Sequence, residues 1–287
     1  MNITSIPPPG AAADAATTGT SPVPARRSSS RGRELAAKVL PPVLVGVLFF
    51  GGWEAFIDWQ HVRPFILPKP SEIWRQFYDN FGLVRSASVV TGTNALIGLI
   101  LGTLLGAVLA ATANRYRVFG ELLNPLAITI AAIPAVVIVS VLNNMYSVTT
   151  QTGRRVMVTL AVFFIVFVQV ARGLRQNHPT QLELMRSYAA TPREILRKVR
   201  IPNAVGYLFT GIRTAAPIAV IIALVSEYFG GTQDGLGQRI ASNFSLSKTS
   251  FAFAYVVGGS IVGLLFFAGS NLLEYLAVPW HRRRGSR

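Results

Sequence analysis

The chain is 287 residues long, 51% hydrophobic and only 14% charged, against roughly 25% charged in an average soluble domain. It has no cysteine, which excludes disulfides, thiolate metal sites and cysteine nucleophiles. Its three histidines, His61, His178 and His281, are too widely separated to place two imidazoles one turn apart on a helix around zinc. The formal charge of +15 is spread between apolar blocks instead of forming a stripe on a polar domain. That distribution argues against nucleic acid and for Lys and Arg holding loops on one side of a membrane.

Residues 1–33 are rich in Pro, Ala, Ser and Thr and poor in large apolar side chains. Such a segment cannot offset the entropy of ordering and reads as a disordered cytoplasmic tail. A cleaved signal peptide is the competing reading, but the apolar segment starts late and no small-residue cleavage site follows it. Residues 34–86 supply a first transmembrane helix and an external amphipathic segment. The apolar block runs from Val39 to Ile57, with Trp53 and Trp59 suited to the far interface.

The second span covers residues 87–113, where Gly98, Gly102 and Gly106 recur every four residues. On a lipid-facing helix they would only weaken it, whereas at a helix interface they allow close backbone approach, including between two paired chains. Further spans are expected at 121–142, 156–174, 204–229 and 251–278, followed by a basic cytoplasmic tail at 281–287. Pro125, Pro134 and Pro217 lie in or near these blocks, and each invites a kink.

Six spans put both termini on one side. That side collects eighteen Lys and Arg and the other side eight, with Arg213 inside the fifth block counted on neither. The excess predicts cytoplasmic termini, and a cytoplasmic position for the segment between the fourth and fifth spans.

That segment, Glu183–Pro202, is "ELMRSYAATPREILRKVRIP". Just before it Thr180 precedes Glu183 by three positions, and Thr191, Pro192 and Glu194 repeat the pattern of a capped helix start. Two short helices with a corner are expected. Leu182, Met185 and Ala189 share a face on the first, Ile195, Leu196 and Val199 on the second, and Pro202 favours ending the second helix before the fifth span. From the residues alone, an amphipathic pair on the inner membrane surface competes with a knob that docks into a soluble partner.

The same stretch resembles the signature of binding-protein-dependent ABC importer permeases: Glu-Ala-Ala, a Gly after three residues, then nine residues and Ile-x-Leu-Pro. Glu183 and Pro202 match, Val199 and Ile201 are conservative matches, and Leu184, Met185 and Ala189 depart. "ILPKPSEIW" at 66–74 and "SEYFGGTQDGLGQRI" at 226–240 are similar to segments of the nitrate/sulfonate/taurine subfamily. That subfamily also includes importers of pyrimidine, thiamine-precursor and riboflavin type compounds. "LNNMYSVTTQTGRRV" at 142–156 departs from the family's usual aromatic-glycine loop.

The resemblance implies an all-α integral membrane protein of six transmembrane helices with a cytoplasmic coupling-helix insert between helices 4 and 5, the type I ABC importer transmembrane domain. Residues 87–280 would form the permease core, with coupling helices at 180–201. Glu183, Met185, Ala189, Arg193 and Pro202 would couple to the ATPase, with ATP and Mg held by that partner and no cofactor by this chain. Expected partners are two ATPase subunits, a second permease copy or a related permease, an extracytoplasmic substrate-binding protein and membrane lipid, in a bacterial plasma membrane. No phosphate-binding G-x-x-x-x-G-K-[ST] occurs in the chain, consistent with a motor located elsewhere.

For the translocation pathway the candidates are the polar groups at membrane depth, Asn94, Asn143, Gln169 and Glu227, with Arg213 less deeply placed. Each can equally serve as interhelical glue. An ion-coupled secondary transporter is the alternative, though its usual acidic or histidine relay and repeated halves are not evident. An integral membrane enzyme lacks a convergent acid, base, nucleophile or metal set.

Overall fold

The computed structural model describes residues 31–116, 133–146, 150–176, 179–230 and 234–277; the side chains of 31–38 and of Asn143 are outside the description. The chain divides into two units, Met1–Gly51 and Gly52–Arg287. The described part of the first unit is helix, the greater part of α1 (Arg31–Gln60), which continues through Pro41 and Pro42. The tails predicted at 1–33 and 281–287 fall almost wholly outside the described residues.

The second unit begins within α1 and continues with α2 (Pro70–Asp79), α3 (Phe81–Arg115), α4 (Ala135–Met145), α5 (Thr152–Arg175), α6 (Pro179–Ser187) and α7 (Pro192–Ile195). A π-helical turn, Leu196–Arg200, then leads into α8 (Ile201–Tyr228), followed by α9 (Leu236–Ser245) and α10 (Thr249–Ala277). Every regular element among the described residues is helical. Among the described residues five stretches are long and apolar enough to cross a membrane: Val39–Gln60, Phe81–Arg115, Thr152–Arg175, Pro192–Tyr228 and Thr249–Ala277. The third span, predicted at 121–142, is mostly outside the described residues; α4, an 11-residue helix that starts just after Pro134, overlaps its end and runs on to Met145.

The core is built from small residues, which let the long helices approach closely. Gly98, Gly102 and Gly106 of α3 lie against α5, where a Cβ at Gly98 would come within 2.4 Å of Val158 Cγ1 and one at Gly102 within 2.7 Å of Thr159 O. The glycine stripe is therefore consumed inside the chain and does not supply the expected interface to a second copy. Gly173 and Gly211 play the same part between α5 and α8, facing Ala204 and Val166. Val158, Val162, Val166 and Phe167 of α5 meet Ala215, Ala219 and Ala223 of α8 in one continuous apolar core.

Before α3, α2 lays Ile73 and Phe77 inward and leaves Trp74 and Tyr78 exposed. Trp74 stacks on Phe77 with ring centroids 5.6 Å apart. Ser71 Oγ donates to Glu54 Oε1 at 2.7 Å, and Lys69 pairs with Asp58 at 2.5 Å, so the start of α2 is tied to the end of α1.

Two local expectations change. Thr180 lies inside the first turn of α6, which starts at Pro179, so it does not stand ahead of the helix as a cap. Nor does Pro202 end the second short helix, because α7, the π-turn and α8 run on as one helical rod. A proline lacks an N–H and its ring crowds the carbonyl four residues back. Widening the preceding turn to the π form relieves both demands, and Ile201 N–H donates to Leu196 O, five residues earlier.

Candidate functional site

Two places concentrate the chemistry of this bundle, one at each end of α8. At its C-terminal end Glu227 is fully buried, and its carboxylate is a junction of three chain segments. Thr91 Oγ1 donates to Glu227 Oε2 at 2.7 Å, Gly237 N–H donates to the same oxygen at 3.1 Å, and Asn94 Nδ2 donates to Oε1 at 3.3 Å. Thr91 Oγ1 also accepts from Leu236 N–H at 2.9 Å. The carboxylate thus sits against the first turn of α9, where free N–H groups and the helix dipole favour a negative charge.

Around this junction lies a layer of amides and guanidinium groups. Gln151 Oε1 accepts from Asn94 Nδ2 at 2.8 Å and from Arg154 Nη1 at 3.0 Å, while Arg154 Nη2 donates to Gly230 O at 3.2 Å. Arg155 Nε donates to Asn94 Oδ1 at 3.1 Å. Both amide hydrogens of Asn94 and one lone pair of its Oδ1 are engaged, so its amide orientation is fixed by Arg155 on one side and Gln151 and Glu227 on the other. Buried polar groups of this kind are mostly paired, although Arg154 Nε finds no acceptor among the described residues. Here the pairing ties α3, α5, α8 and α9 together.

The same carboxylate explains the glycines of the segment after α8. A Cβ at Gly235 would lie 2.2 Å from Glu227 Oε2, and one at Gly237 would lie 2.1 Å from Leu224 O. No side chain fits at either position without displacing backbone or the buried acid.

At the opposite end of α8, α6 and α7 form a corner. Tyr188 N–H donates to Leu184 O, Ala189 N–H to Arg186 O and Ala190 N–H to Met185 O, and Ala189 has φ of +50°. The 5→2 and 6→1 bonds about a left-handed residue are a Schellman ending. Ala189 therefore adopts the conformation for which the glycine of the family pattern is suited, at a cost of about 1–2 kcal/mol.

Two residues on, Thr191 Oγ1 accepts from Glu194 N–H at 3.4 Å and Thr191 N–H donates to Glu194 Oε2 at 2.8 Å. The capping box is complete, with Pro192 at the first helical position.

Of the residues singled out from the sequence, Glu183, Ala189, Arg193 and Pro202 are exposed around this corner and Met185 is half-buried. The second-helix face of Ile195, Leu196 and Val199 is half-buried as a set. On α6 and the turn that follows it, however, the most exposed apolar side chains are Leu184 and Tyr188, at 55% and 76%. They are one turn apart, a pairing visible in the sequence that the Leu182–Met185–Ala189 face passed over.

Of the membrane-depth polar residues, the structure brings Asn94 and Glu227 into one hydrogen-bonded cluster. Gln169 is half-buried farther along α5, beside Gly211. The Asn143 side chain lies outside the described residues. Arg213 pairs with Glu274 of α10 at 3.0 Å. Arg154, Gln151 and Thr91 were not picked out from the sequence. Arg154 and Arg155 are marked in the sequence as two adjacent arginines opening an apolar block.

The family described as binding-protein-dependent transport system inner membrane component matches residues 102–284, well over half of the chain. A probable ABC transporter permease protein of Haemophilus influenzae is 27% identical over 84% of this chain and 94% of its own length. A formylaminopyrimidine transport permease protein of Halalkalibacterium halodurans is 28% identical over 86% of this chain and 98% of its own. A riboflavin transport system permease protein of Chloroflexus aurantiacus is 28% identical over 90% of this chain and 97% of its own. Among solved structures, an amino acid ABC transporter crystallised with histidines shares the fold, with a TM-score of 0.58 at 16% identity over 69% of this chain and 95% of that one. The chain belongs to the family of binding-protein-dependent transport system inner membrane components, and it is a multi-pass inner-membrane permease subunit of an ABC importer.

Proposed function

We propose that the chain spans the membrane six times with both termini in the cytoplasm, and that α6 and α7 are coupling helices received by a separate ATPase subunit. ATP hydrolysis then belongs to that partner. Two ATPases, a second permease copy or a related permease, and an extracytoplasmic binding protein complete the assembly. The observation that carries this reading is the corner at Ala189: its exposed apolar pair, Leu184 and Tyr188, stands at the end of a rod that continues into α8. A push on α7 would be transmitted along a continuous helix to the Glu227 cluster at the far end. Arginines on the same segment, Arg186, Arg193 and Arg197, fit the positive-inside bias of a cytoplasmic position.

The solute is a small polar compound, of sulfonate, nitrate or pyrimidine and vitamin-precursor type. Relatives named for formylaminopyrimidine, riboflavin, aliphatic sulfonates and taurine support that range. Within the pathway, Gln169, a half-buried amide residue, would contact the solute, while Asn94 and Glu227 shape the pathway's outer end by holding the spans around it. Asn143 stays a pathway candidate on its place in the sequence alone.

The test is the paired substitution Met185→Asp with Ala189→Asp. It should leave the spans inserted and abolish ATPase association or uncouple hydrolysis from uptake. Unchanged association and uptake in that variant would remove the coupling role from this corner.

A further inference from the structure

Beside the coupling corner is a groove of about 650 Å³ in which Arg193 is also a coupling candidate, while Arg115 and Arg200 have no assigned role. Its walls come from the end of α3, the end of α5 and the α7 rod, and its charged lining is Arg115, Arg193 and Arg200. No carboxylate is paired with any of the three among the described residues. Arg200 Nε is buried without a hydrogen-bond acceptor among the described residues, and Arg115 lies over the ring of Tyr116, at 5.7 Å. Between the arginines the wall is apolar, with Leu174, Leu196 and Ile201.

We propose that this groove binds an anionic phospholipid of the inner leaflet, its headgroup phosphate on the three guanidinium groups and an acyl chain along Leu174, Leu196 and Ile201. Guanidinium groups recognise phosphate by paired hydrogen bonds as well as by charge. Three arginines lining one groove, with no counter-carboxylate among the described residues, favour an anion there. A soluble phosphate would satisfy the arginines but not the apolar wall. A lipid satisfies both, and basic pockets between spans on the cytoplasmic side suit such headgroups. The ligand would wedge between α3, α5 and the π-turn, so its presence would set how stiffly the coupling corner is joined to the bundle. The leaflet assignment rests on the cytoplasmic placement of the corner proposed above; the binding itself does not.

The purified full chain, in neutral detergent without an ATPase, would be titrated with phosphatidylglycerol and with phosphatidylcholine of the same acyl chains, bound lipid being read by native mass spectrometry. The expected result is a clear preference for phosphatidylglycerol. At about fivefold per arginine near an anionic headgroup, Arg115→Gln with Arg200→Gln should weaken binding more than tenfold, and Arg186→Gln, on α6 outside the groove, should not. Equal binding of the two lipids, an unaffected double variant, or an equal loss with Arg186→Gln would overturn the site. Inorganic phosphate at millimolar concentration should fail to displace the lipid; full displacement would assign the arginines to a soluble anion and overturn the lipid. Because no ATPase is present, a failure here leaves the permease reading untouched, and failed coupling leaves this binding intact.

Discussion

Replacing Glu227 by Gln should destabilise the bundle more than the isosteric shape suggests. The acid accepts from Thr91 and Gly237 on Oε2 and from Asn94 on Oε1. A glutamine has one oxygen. If its NH2 takes the Oε2 position it meets the Gly237 N–H, which cannot turn away; if it takes the Oε1 position it meets the Asn94 NH2. Asn94 cannot flip to accommodate it without breaking its bonds to Gln151 and Arg155.

One buried donor is therefore left unsatisfied in either orientation, at about 1–3 kcal/mol. Glu227→Ala would strand the Gly237 N–H and one Asn94 amide hydrogen, Thr91 Oγ1 keeping Ala87 O as acceptor, and would open a cavity, for about 3–5 kcal/mol. Reversible unfolding of the full chain in SDS and detergent mixtures would measure both. A glutamine variant as stable as the parent, or an alanine variant no worse than the glutamine, would show that the cluster is not the junction its geometry describes.

Ala189→Gly should stabilise the chain by about 0.5–1 kcal/mol in the same assay, because relief of the left-handed strain exceeds the extra freedom gained by the unfolded chain; a loss of stability would mean the corner is not a left-handed ending. Thr191→Ala removes the capping box and should cost about 1 kcal/mol and increase amide exchange in α7, with unchanged exchange counting against the cap. Gly102→Ala should cost about 1–3 kcal/mol, since the new methyl meets the Thr159 carbonyl and the Val162 side chain. The Gly102→Ala chain should still pair with a second permease in cross-linking, and loss of pairing with unchanged chain stability would return the stripe to an intermolecular interface.

The long spans were legible because each is an apolar block of sufficient length, and the second capping box because Thr191, Pro192 and Glu194 encode it within four residues. What the sequence concealed depends on distant partners. Nothing local to Gly98, Gly102 and Gly106 says whether the facing helix belongs to the same chain. At Pro202 local chemistry pointed to a helix end, yet a π-turn could absorb the missing N–H once tertiary packing favoured a continuous rod. The Glu227 cluster joins residues more than 130 positions apart. Only the glutamate was conspicuous in sequence, because Thr91 and Gln151 are ordinary until the helices bring them together.

The central claim is that this chain forms the passage of an importer driven by another subunit. Its most direct measurement is solute uptake into proteoliposomes containing the chain, its ATPase partner and the binding protein, with ATP supplied on the ATPase side. Uptake that requires ATP, the ATPase and the binding protein together, and that stops in the Met185→Asp, Ala189→Asp chain, is the predicted result. Uptake by the chain alone, driven by an ion gradient without ATP, would contradict it.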